Sequence, residues 1–155
     1  MKRHLERQKG QGLVEYALIL VLVAVVVIAI LALLGPAING AFARVIAALN
    51  GQDMTGIGTE YVITGLSASA SGAAPDCTVN VTNMQVTVFE DGELVGTGVA
   101  VSGSVSFSGG AGGSASGSTG SNGTATLNNV SGVGNCSGSA TLTVSGNSRT
   151  VSYSN

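Results

Sequence analysis

The chain has 155 residues, of which 45% are hydrophobic and only 9% charged, with a net charge of −2. The charge is unevenly placed: residues 1–10 hold Lys2, Arg3, Arg7 and Lys9 against Glu6, a net +3, which leaves −5 on residues 11–155. A body whose only cations are Arg44 and Arg149 has nothing to neutralise phosphates, which excludes a nucleic-acid partner.

Residues 1–10, MKRHLERQKG, form a basic leader. From Ala17 to Leu34 there follow 18 apolar residues without interruption. That length and purity predict a membrane span, and the basic flank keeps the N-terminus cytoplasmic while the rest is exported. A secretory signal peptide would have a shorter apolar core followed by a small-residue cleavage site, and no A-x-A site precedes Gly35-Pro36. After that pair, Ile38, Phe42, Val45, Ile46 and Leu49 recur at helical spacing, with Arg44 on another face. Residues 11–50 therefore read as one long helix that stops at Asn50-Gly51, with a kink or local break expected at Pro36. About 39 residues at about 1.5 Å each span roughly 58 Å, beyond one bilayer core, so the second half leaves the membrane or packs against copies of itself.

Residues 51–75 are rich in Gly, Ser, Thr and Ala. TEYVITGLSA predicts a short strand within them, and SASGAAP reads as linker. From Asp76 the period becomes two. Val79 and Val81 share one face; Met84, Val86 and Val88 share one face at the opposite parity, which predicts a bulge or turn near Asn83. Asp91-Gly92, Asn122-Gly123 and Gly146-Asn147 mark turns between further short strands. Gly109 to Ser118 contains only Gly, Ala and Ser and reads as an exposed loop or a glycine-rich edge. The fold class is α+β: one long N-terminal hydrophobic helix, then an all-β sandwich over residues 76–155.

Cys77 and Cys136 both lie beyond the apolar run, where an exported chain pairs two cysteines as a disulfide. The only histidine, His4, sits in the leader, and there is no CxxC, which argues against a metal site or cofactor. Without a histidine in the exported part, a Ser–His arrangement is absent, and Glu90, Asp91 and Glu93 read as solvated turn residues rather than a catalytic pair. The sequons at Asn80, Asn122 and Asn129 read as chance matches in a chain rich in Asn, Ser and Thr. The chain is not expected to be an enzyme.

Glu15 places a carboxylate two residues before the uninterrupted apolar run. One reading is that it snorkels to the headgroups; the other is that it meets a positive partner in an assembly. Gly10-Gln11-Gly12-Leu13-Val14-Glu15-Tyr16-Ala17-Leu18-Ile19-Leu20 resembles the start of Flp-type (type IVb, tight-adherence) pilins, and LLGPAINGAFARVIAAL resembles the second half of their helix. The resemblance covers residues 2–49, and the Glu-Tyr pair is more like those pilins than the related TadE-like pseudopilins. It implies cleavage between Gly10 and Gln11 by a prepilin peptidase, then assembly of copies into a filament by an ATPase-driven machinery. Glu15 would pair with the new Gln11 amine of a neighbour, with Tyr16 packing or hydrogen bonding beside it. Such pilins are short, whereas about a hundred residues follow the helix here. VTVFEDGELVGTGVAVSGSVS and TGSNGTATLNNVSG resemble bacterial Ig-like or prealbumin-like surface modules. The resemblance implies a pilin precursor with a surface-displayed β domain for adhesion or surface contact. The alternatives are a minor tip pilin or pseudopilin, and an uncleaved membrane-anchored Ig-like binding module.

Overall fold

A computed structural model describes residues 8–52 and 54–155, and the chain divides into two compact units, Met1–Gly35 and Pro36–Asn155. Residues 1–7 of the leader lie outside the described residues. Helix α1 is assigned over Gln8–Leu49, as its Leu, Ala, Ile and Val content predicts for lipid. The local break expected at Pro36 is absent, because helical assignment continues through Gly35 and Pro36. Proline's φ of about −65° is itself a helical value, so the ring removes one hydrogen bond without ending the helix.

The second unit carries nine strands among the described residues: β1 (Thr59–Ala73), β2 (Asp76–Glu90), β3 (Glu93–Leu94), β4 (Ala100–Phe107), β5 (Gly110–Ser118), β6 (Thr124–Thr126), β7 (Val130–Asn135), β8 (Ser137–Val144) and β9 (Asn147–Ser154). They form two antiparallel sheets, giving the predicted α+β order of a helix and then a β-sandwich. In the first sheet β2 is central. It pairs with β1 along one side, and with β7, β6 and β3 in succession along the other. The second sheet has the order β5-β4-β8-β9. Val79, Val81, Met84, Val86 and Val88 of β2 meet Val101, Val105, Phe107, Ala140, Leu142 and Val144 of the second sheet in the main core.

The change of parity in β2 is a bulge. Gly65 faces Gln85 and Ser67 faces Thr82, so Asn83 and Met84 of β2 lie opposite the single residue Leu66 of β1, one residue in excess, and Asn83 takes φ of 52°. The bulge returns Met84, Val86 and Val88 to the face already occupied by Val79 and Val81. Asp91 and Gly92 form the expected tight turn with φ of 49° and 80°, both left-handed, between Glu90 and Glu93.

Two segments differ from expectation. The stretch read as linker at 51–75 carries β1, 15 residues long, paired with β2 as far as Ala73↔Asp76. SASASGA alternates after all: Ala68 and Ala70 pack on the core while Ser67, Ser69 and Ser71 are exposed. The side chains are too small to signal burial, and β2 supplies the pairing that orders them. Gly109 to Ser118 is an edge, as one of the two readings held, but as strand β5 with Ala115 fully buried. Its glycines serve close approach. At Gly117 a Cβ would collide with the Thr126 carbonyl of β6 in the other sheet.

Candidate functional site

The candidate processing and assembly residues all lie on the first turns of α1. Gly10 and Gln11 are helical, and the Gln11 side chain lies outside the described residues. Glu15 follows Gln11 by four positions, one helical turn, and is exposed. Tyr16 is 63% exposed. From Leu13 to Leu34 every Leu, Ile, Val and Tyr side chain is exposed, between 44% for Leu34 and 80% for Leu33. A helix of this length and composition is able to cross a membrane. No described residue of its own unit covers it, so its apolar surface calls for lipid or protein.

The second half of the helix belongs to the sandwich unit and shows how the two kinds of surface are divided. Of the stripe visible in the sequence, Ile38, Phe42, Val45 and Leu49 are exposed at 51%, 65%, 57% and 81%, and Ile46 is half-buried. The face laid on the sheet is made instead of Gly40, Ala43 and Ala47: Ala43 and Ala47 pack with Val62 of β1 and Phe89 of β2, and Gly40 lies against Phe89 and Leu94. Small residues let the backbone come close; a Cβ at Gly40 would sit 3.2 Å from the Leu94 side chain. Most of the large side chains, Ile38, Phe42, Val45 and Leu49, are thereby left outward.

Polar groups fasten this junction. Arg44 donates to the Gly92 carbonyl of the β2–β3 turn and lies over the Phe89 ring, 5.3 Å from its centroid. Glu60 is buried, although it carries a charge at neutral pH. Its Oε1 accepts from the Thr55 N–H, from the Thr55 hydroxyl at 3.0 Å and from the Gly56 N–H at 2.8 Å, whereas Oε2 has no partner among the described residues. Burial pushes the Glu60 carboxyl up, but the Gly56 and Thr55 bonds and the Arg44 guanidinium outweigh it and hold the group below the usual carboxylate range. The detectable signal was the alternation of TEYVIT, which puts Glu60 on the same strand face as Val62.

The disulfide joins Cys77 to Cys136, with Cα atoms 4.9 Å apart. Cys77 lies on β2 opposite Gly134 of β7, so the bond ties the central strand to the link between β7 and β8. Of the acids at the β2–β3 turn, Asp91 accepts from the Gly58 N–H at 2.8 Å, a bond that holds two loops together. Among the described residues no group of three or more His, Cys, Asp or Glu side chains is placed to hold a metal ion. Comparison with family models, curated proteins and solved structures finds no match.

Proposed function

We propose that this chain is the precursor of a pilin. Its helix crosses the cytoplasmic membrane, is freed of its leader between Gly10 and Gln11, and then packs with other copies into an extracellular filament that displays the β-sandwich. The observation that carries this reading is the uncovered apolar surface from Leu13 to Leu34, headed by an exposed carboxylate at Glu15. Lipid covers such a surface before assembly and neighbouring helices cover it afterwards. A carboxylate at that depth is poorly accommodated in lipid. In a bundle of identical helices, the new Gln11 amine and Glu15 lie one turn apart, so staggered copies bring opposite charges together. That pairing fixes register more than it adds stability. The disulfide and the hydroxyl-rich sandwich surface suit the outside of the cell.

Two measurements test this. Mass spectrometry of the surface-exposed chain should give a mature N-terminus at Gln11; an intact Met1 would identify a membrane-anchored binding module instead. Electron microscopy of sheared surface material should show filaments containing this chain, and Glu15→Ala should abolish them. Normal filament numbers in that variant would sink the proposed role of Glu15. Labelling of this chain only at filament ends would make it a minor tip subunit.

A further inference from the structure

Beside the helix junction, the sandwich unit carries a groove of about 350 Å³. Its walls are Asn39 and Phe42 of α1, Thr64 of β1, Gln85 of β2, and Thr124 and Thr126 of β6. None of the residues lining it is charged. Several of its polar groups are already committed. Asn39 donates to the Asn122 carbonyl at 2.7 Å and to the Thr124 hydroxyl at 3.1 Å, and the Thr64 hydroxyl donates to the Gln85 carbonyl at 3.3 Å. These bonds fix the walls. They leave the Gln85 side-chain amide, the Thr126 hydroxyl and the Asn39 Oδ1 for a ligand. At the rim stands Phe42, 65% exposed.

We infer that this groove binds a neutral saccharide. The chemistry of the lining discriminates among ligand classes. An anion or a cation finds no countercharge there. A purely apolar ligand would strand the amide and hydroxyl groups, which would lose water without gaining a partner. A sugar ring has hydroxyls that both donate and accept, matched by an amide that does both. It also has a face of C–H groups that packs flat against an aromatic ring, which Phe42 offers. The groove is built wholly within Pro36–Asn155, so this inference does not depend on cleavage of the leader or on filament formation.

The test is saturation-transfer difference NMR on the full chain in dodecylphosphocholine micelles, a detergent without a sugar headgroup, with maltohexaose, cellohexaose and chitohexaose as probes. At least one probe should receive saturation, strongest at its ring C–H protons. Phe42→Ala should remove the signal, and Gln85→Ala with Thr126→Val should weaken binding by about tenfold or more. Circular dichroism and the thermal midpoint of each variant establish that it is folded; all three side chains are at least partly exposed, so the fold should survive. Saturation of none of the probes overturns the proposal, as does a signal unchanged in both folded variants. If the probes stay silent while Gln85→Ala reduces filament number, the groove is a contact between copies and not a saccharide site.

Discussion

Gln52 pairs through its side chain with both backbone groups of Ile63. Its Oε1 accepts from the Ile63 N–H at 2.8 Å, and its Nε2 donates to the Ile63 carbonyl at 3.3 Å. The amide thus imitates a strand residue on the outer edge of β1. Asn147 and Arg149 of β9 complete the edge by donating to the carbonyls of Tyr61 and Thr64, each at 2.8 Å. Side chains rather than another strand close β1 to foreign pairing.

Gln52→Leu should destabilise the sandwich by about 1–3 kcal/mol, because the variant leaves the buried Ile63 N–H unpaired, while the Ile63 carbonyl keeps its bond from Arg149 at 3.3 Å. The loss should be local as well as global. Amide hydrogen exchange at Ile63 should accelerate more than at Val86, which lies on the central strand. Equal acceleration at both positions would mean that the amide pairing has no special role at the edge.

Glu60 gives a pH dependence of definite sign. Its folded pKa lies below the ordinary 4.5, so its contribution to stability is present above that value and is lost as pH falls through the folded value. Thermal midpoints of the full chain should therefore drop on acidification below about pH 4.5 more steeply in the native protein than in Glu60→Gln, which has no proton to take up. Arg44 is the cation that faces Glu60, and Arg44→Met should reduce the same slope. Parallel pH profiles for native protein and Glu60→Gln would refute the assignment.

The parts legible in the sequence are those with a strong local period or a stereochemical signature. The apolar run gave α1, the parity change gave the bulge at Asn83, and Asp91-Gly92 gave its turn. What stayed hidden depends on partners distant in sequence. Ala68 and Ala70 look like linker until β2 lies beside them. Gly40, Ala43 and Ala47 look like the weak face of the helix, yet they form its seat, because Phe89 and Leu94 fill the space that larger side chains would need. Glu60 looks like a surface residue on a half-exposed strand until the helix is placed over that face. For Gly10, Gln11 and Glu15, the proposed partners are a peptidase and other copies of the chain, so the interactions of one folded molecule do not express their role.

The two sheets meet tightly at the glycine-rich strand, which predicts a contrast between two glycines. A methyl group at Gly117 would strike the Thr126 carbonyl, a backbone atom that cannot turn aside. Gly117→Ala should cost about 1–3 kcal/mol through forced separation of β5 from β6. Gly96 has no atom within 4 Å of the corresponding position, so Gly96→Ala should stay within about 0.5 kcal/mol of the native protein. Chemical denaturation of both variants under identical detergent conditions provides the comparison. An equal loss in both would remove close approach as the reason for glycine in β5.

The disulfide should be the largest single contribution that chemistry alone can remove. It closes a segment with a sequence separation of 59 residues, worth about 4 kcal/mol in the chain-entropy account. The two cysteines are not equivalent once the bond is gone. Cys77 is 1% exposed and lies on the central strand, whereas Cys136 is only partly buried beyond β7. In a reduced background, Cys77→Ser should therefore add a further loss, since it buries a hydroxyl in place of a thiol, and Cys136→Ser should add little. The measurement is the thermal midpoint of the full chain, oxidised and reduced, beside the two serine variants measured under reductant. If both variants match the reduced native protein, the bond stabilises by chain restriction alone and the burial of Cys77 contributes nothing.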